Sequence, residues 1–162
     1  MNEDLHSHKQ VFSDKAMKKI REILIEAFIQ ATEDPEKAMI AIKNLLPPDQ
    51  RDAEFIIDHL RGVYHNPITV VRAKFTDNAQ QVLEYIARNL GAYDKEYLYK
   101  SMHRRIDEKG NIFMRIGKQE LFQEKMEIKE MKDTIKIRIS FSRKFNIQDI
   151  TVMLQEMELI KT

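Results

Sequence analysis

The stretch IREILIEAFIQA, residues 20–31, constrains the fold of this chain more than any other. Ile23, Ile25, Ala27, Ile29 and Ala31 share one parity; Glu22, Leu24, Glu26, Phe28 and Gln30 share the other. A period of two, rich in β-branched residues, describes a strand with one apolar face and one open face. The alternation returns three times. In ITVVRAKF (68–75), Thr69, Val71, Ala73 and Phe75 oppose Ile68, Val70, Arg72 and Lys74. In NIFMRI (111–116), Ile112, Met114 and Ile116 oppose Phe113 and Arg115. In TIKIRISF (134–141), Ile135, Ile137, Ile139 and Phe141 point inward while Lys136, Arg138 and Ser140 point outward. The strands of a parallel sheet are buried on both faces and do not alternate in this way. The pattern requires a single α+β domain with an antiparallel or mixed sheet and helices packed mainly on one face.

Helices fall between the strands. Asp34 is a suitable N-cap, followed by Pro35 at the first helical position and Glu36 beside the positive helix end; Ala38, Ile42, Leu45 and Leu46 make the apolar stripe and Pro47 stops it. Asp77, with Gln80 three residues on, predicts a capping box for a helix carrying Val82, Leu83, Ile86 and Leu90, ended by Gly91. A short helix is expected within 94–105 and a turn or short helix over 119–123. Asn146 caps the closing helix, with Phe145 and Ile150 placed as a hydrophobic staple. Residues 53–61, AEFIIDHLR, carry mixed periodicity; the turn signal GVYHNP that follows favours a strand. Residues 1–15 carry little periodicity and are expected to be a loose arm, leaving 16–162 as the domain.

The length of 162 residues suits one domain with a real core. Cysteine is absent, which excludes a disulfide framework, a thiol nucleophile and a thiolate zinc site. No apolar run approaches the roughly 20 residues of a spanning helix, and the cytoplasm is the expected compartment. There is no phosphate-binding P-loop motif, nucleophile elbow or zinc-protease motif, and nothing calls for a cofactor; the expectation is a non-catalytic protein. His6 and His8 are close together but would need further ligands to hold a metal, so no metal site is expected.

Net charge is only +1, so any argument for a polyanionic partner depends on where the charge sits. The open parity of the strands collects Arg72, Lys74, Arg115, Lys136 and Arg138, against Glu22 and Glu26 on the first strand. Phe28 and Phe113 share that parity. Aromatics beside cations on an open sheet are what single-stranded RNA readers use: the rings stack bases and the cations neutralise phosphates. The plainer alternative is that exposed Lys and Arg guard a sheet against edge-to-edge association. Gly117-Lys118-Gln119 is a second candidate, a glycine and a lysine at the start of a short helix facing a phosphate; its plain alternative is a turn glycine with a surface lysine. A protein-interaction module or homodimer using the same sheet face is the alternative function.

Three segments, taken in order, resemble one known family: FIQATEDPEKAMIAIKNLLP (28–47), LRGVYHNPITVVRAKF (60–75) and RIDEKGNIFMRIGKQELF (105–122). The family is an archaeal RNA-binding-like group formerly of unknown function, whose members have been labelled predicted exosome subunits. The matching positions are Thr32, Glu33, Asp34, Asn66, Pro67, Gly110, Lys118 and Gln119. The chain departs from the family where Glu120-Leu121 replaces small residues and where His65 replaces a common glycine. The resemblance implies an α+β fold like that of the ribosomal protein that grips 5S RNA, RNA as partner, and association with protein subunits of an RNA-processing or degradation complex.

Overall fold

The computed structural model describes residues 20–162; the arm read at 1–15, with His6 and His8, lies outside them. Five strands, β1 (Ile20–Gln30), β2 (Ile56–Arg61), β3 (Pro67–Phe75), β4 (Ile112–Gly117) and β5 (Thr134–Phe141), form one sheet in the order β2-β3-β1-β5-β4. Every neighbouring pair is antiparallel, which resolves the antiparallel-or-mixed expectation. Five helices accompany it: α1 (Pro35–Asn44), α2 (Ala79–Asn89), α3 (Ala92–Lys100), α4 (Lys118–Phe122) and α5 (Ile147–Glu156).

The core forms where the apolar parity of the strands meets the helix stripes. Ile23, Ile25, Ala27, Val71, Ala73, Met114, Ile116, Ile135 and Ile137 are buried together with Ile42, Val82, Leu83, Ile86, Ile150 and Leu154. Each fully buried Ile or Leu contributes roughly 1.5–3 kcal/mol relative to an exposed one. Asp34 caps α1 by accepting from the Glu36 amide at 3.0 Å. Asn146 caps α5 by accepting from the Asp149 amide at 2.8 Å, and Phe145 and Ile150 are both buried there.

Two helix boundaries differ from expectation. The N-cap of α2 is Asn78, not Asp77, and it makes no side-chain cap bond. The Ala79 amide first closes a turn onto the Thr76 carbonyl, moving the cap one residue along, and Gln80 turns to Glu84 instead of reaching back. Gly91 lies at φ −76°, ψ 165° and is the N-cap of α3. With α3 following at once, the chain leaves α2 in extended backbone and needs no left-handed glycine. The glycine that does need its freedom is Gly110, at φ 84° in the turn before β4. There Asp107 accepts from the amides of Lys109 and Asn111, both at 2.9 Å.

The two sheet edges are finished differently. Beyond β4, the Phe113 amide donates to Arg105 O, the Gly117 amide to Glu127 O and the Lys129 amide to Arg115 O, so flanking segments occupy that edge. At the other edge all six residues of β2 are exposed.

Candidate nucleic-acid interface

Antiparallel register fixes which side chains share a face, because directly opposed residues project to the same side. One row across the sheet reads Arg115, Lys136, Glu26, Arg72, Ile56; the next reads Phe113, Arg138, Leu24, Lys74. Arg72, Lys74, Phe113, Arg115, Lys136 and Arg138 therefore occupy one face, together with Phe28, opposite the helices. Strands lie roughly 5 Å apart, so each row sets its side chains at about that spacing.

The same register brings in carboxylates. Arg72 donates to Glu26 at 2.8 Å and to Asp58 at 3.0 Å; Arg138 donates to Glu22 at 2.9 Å; Lys74 lies 3.6 Å from Glu22. The Glu26 hydrogen bond, with the neighbouring charges of Glu26 and Asp58, holds the Arg72 guanidinium above its ordinary pKa despite partial desolvation. Asp58 comes from β2, in the segment whose periodicity was mixed, and its place on this face follows only once Asp58 is registered against Val70. The continuous basic face expected from strand parity is thus neutralised over β1, β3 and part of β5.

What stays free lies at the β4–β5 side. Arg115 is exposed and its side chain has no ion-pair partner among the described residues. Lys136, directly opposite Arg115, also lacks one and sits 4.7 Å from the Phe113 ring centroid, within cation–π range. A half-buried aromatic ring with two uncompensated cations beside it is an arrangement that can stack a base and neutralise flanking phosphates.

Lys118 is placed differently from the exposed phosphate lysine that Gly117-Lys118-Gln119 suggested. It is only 5% exposed. Its ammonium donates to Phe28 O at 2.7 Å and lies 3.0 Å from Glu33 Oε2 and 3.1 Å from Asp133 Oδ1. Its three donors serve the Phe28 carbonyl and the two Glu33 oxygens, and the Asp133 carboxylate adds a close ionic contact. The Gly117 and Lys118 amides are also taken, by Glu127 O and Asp133 O. Lys118 thus ties the end of β1, the start of α4 and the loop before β5 into one clasp. Glu33, one of the positions that match the family, is a member of this clasp, while the neighbouring Asp34 caps α1. Gln119 remains exposed and lines a cavity of about 310 Å³ between α1 and α4, with Glu33, Phe122 and Asp133. The TED and KQ segments, far apart in sequence, therefore meet in space.

A family model described as RNA binding matches residues 22–141. The chain belongs to this RNA-binding family. The RNA-binding protein PAB1135 of Pyrococcus abyssi is 36% identical over 121 residues, covering 72% of this chain and 79% of that protein. The uncharacterized protein MJ0213 of Methanocaldococcus jannaschii is 23% identical over 127 residues, 75% of this chain and 85% of that one. Solved structures share the fold: protein AF2318 from Archaeoglobus fulgidus, family DUF54, has a TM-score of 0.74 at 22% identity, covering 86% of this chain and 99% of that one. Protein SSO0741 from Sulfolobus solfataricus, also DUF54, has a TM-score of 0.69 at 23% identity, covering 84% and 96%. At these identities the structural likeness concerns the fold alone. Among the described residues no helix is long and apolar enough to cross a membrane.

Proposed function

We propose that this chain binds single-stranded RNA without catalysis, on the β4–β5 half of its open sheet face. Phe113 stacks a base, contributing about 1–3 kcal/mol, and Arg115 and Lys136 neutralise the phosphates on either side. The observation that carries the proposal is this Phe113–Arg115–Lys136 cluster, whose cations lack carboxylate partners among the described residues while Arg72, Lys74 and Arg138 lie against Glu22, Glu26 and Asp58. Membership of an RNA-binding family supports it. A sheet platform that stacks unpaired bases prefers single strands over duplex, whose bases are already stacked. Filter binding of one RNA in single-stranded and duplex form tests this: tighter single-strand binding is expected, weakened about tenfold by Phe113→Leu. Equal affinity for the two forms, unaffected by Phe113→Leu, would refute the platform. Association with protein subunits of an RNA-processing or degradation complex belongs to the same proposal and is tested by co-purification from native cells.

A second function, a protein-interaction module or homodimer, is favoured by the β2–β3 hairpin. Ile56, Ile57 and Leu60 are exposed on its uncovered edge strand, and Val63 and Tyr64 at its tip are 91% and 90% exposed. Concentrated exposed apolar surface marks interaction sites. Sedimentation equilibrium checks it: a monomer at every concentration would remove the homodimer.

A further inference from the structure

The cavity between α1 and α4 combines features that a simple crevice between helices does not require. Its wall carries Phe122, 39% exposed, with the Lys37 ammonium 5.8 Å from the ring centroid. Gln119 and Gln123 line it, as do the three members of the Glu33–Lys118–Asp133 clasp. The carboxylates are not equivalent. Both Glu33 oxygens are taken by Lys118, and Oε1 also accepts from the Gln30 amide. Asp133 uses Oδ1 on Lys118 and its side chain is 48% exposed, so a carboxylate already fixed in position still presents accepting capacity to a ligand.

We propose that this cavity is a slot for an unpaired guanine base of bound RNA. The inference rests on the RNA-binding proposal and adds base specificity to it. The carboxylates of the lining repel phosphate, so the base edge enters and the backbone stays outside. Among the four bases only guanine presents two adjacent donors, N1–H and N2–H, on its pairing edge; these match the two oxygens of a carboxylate. The Gln119 and Gln123 amides can donate to O6 or N7, and the Phe122 ring supplies the stacking surface. Lys37 lies near the outer limit of cation–π range, so an incoming base displaces it at little cost and gains it as a phosphate partner. The competing occupant is an arginine side chain from a partner protein, which the lining carboxylates Glu33, Asp34 and Asp133 would also attract. Lys118 does not read the base; it is a positioning residue that holds Asp133. The slot lies on the helix side of the sheet and the platform on the other, near the start of β5: Lys136 stands three residues along the chain from Asp133, a backbone span of about 10 Å at strand rise.

The experiment is fluorescence anisotropy of the full chain with labelled pentamers UUGUU, UUIUU, UUAUU and UUUUU, where inosine (I) lacks only the N2 amine. UUGUU is expected to bind tightest, with inosine weaker by about fivefold or more. Asp133→Asn and Phe122→Leu should each bring the ratio of UUGUU to UUUUU affinity toward one, with thermal melting run on both variants to confirm folding. Equal wild-type affinity for the guanine, inosine and adenine pentamers would overturn the slot while leaving the platform standing. Failure of UUUUU itself to bind would instead sink the platform, and the slot with it. An NMR titration probes the slot without the platform: GMP should move the amide signals of Gln119, Phe122 and Gln123 more than AMP does. Larger shifts with acetyl-arginine amide than with GMP would overturn the proposal in favour of a protein partner.

Discussion

Replacing Lys118 by methionine separates a structural lysine from a phosphate-binding one. Methionine keeps an unbranched apolar stem and removes the ammonium. The loss leaves the Phe28 carbonyl without this donor and the Glu33 and Asp133 carboxylates without their cation. Breaking a fully buried charged pair costs about 3–5 kcal/mol. Here the lysine side chain is 7% exposed but those of Glu33 and Asp133 are 27% and 48% exposed, so water can resolvate part of each carboxylate. That places the expected loss at the lower end, about 2–3 kcal/mol. Urea denaturation of wild type, Lys118→Met, Glu33→Gln and the double variant measures it, and the cycle should give a coupling of about 1 kcal/mol or more between the two residues. A loss below about 0.5 kcal/mol, typical of a surface change, would refute the clasp. So would a flatter salt dependence of RNA binding in the folded variant, because it would return Lys118 to the phosphate backbone.

Two further changes probe other places where geometry departs from what composition suggests. His65 holds φ 63° in the β2–β3 turn, where its amide donates to Gly62 O at 2.9 Å. His65→Gly should stabilise the chain by about 0.5–1 kcal/mol, because left-handed backbone costs a residue with a Cβ more than glycine loses in entropy; a destabilised variant in urea denaturation would contradict this. Burial raises the pKa of Asp94, reinforced by the charge of Glu127, against the lowering effects of the Ile128 amide and Lys129. A carboxyl whose folded pKa lies above its unfolded value favours folding most below the unfolded value, and that contribution is lost as pH rises through the folded pKa. Asp94→Asn should therefore melt higher than wild type at pH 7, the difference shrinking toward pH 3; an unchanged or lower melting temperature at pH 7 would contradict it.

The strands were legible because each buries one face, and a half-buried strand writes its orientation into every second residue. That is why Arg72, Arg115 and Arg138 could be assigned to one face without coordinates. Their charge balance could not, since it depends on cross-strand partners. Glu26 meets Arg72 across a separation of 46 residues and Glu22 meets Arg138 across 116. Asp58 stayed hidden because β2 is exposed on both faces and its sequence lacks an apolar parity. Lys118 reads as a surface lysine for the same reason: its carboxylate Glu33 lies 85 residues away, and local sequence carries no record of burial by distant segments. Asp34 and Asn146 were legible as caps because a cap bond closes within two or three residues.

In the proposed function Arg115 and Lys136 neutralise RNA phosphates, whereas Arg72 and Arg138 are occupied by carboxylates. The most direct measurement is the slope of log affinity against log salt for one single-stranded RNA, with wild type, Arg115→Ala, Lys136→Ala and Arg72→Ala. Each phosphate contact contributes about 0.7 to the slope on a single strand. Arg115→Ala and Lys136→Ala should each flatten it by about that amount, while Arg72→Ala leaves it near the wild-type value. A slope that flattens with Arg72→Ala and not with Arg115→Ala or Lys136→Ala would place the RNA elsewhere on the molecule and contradict the account.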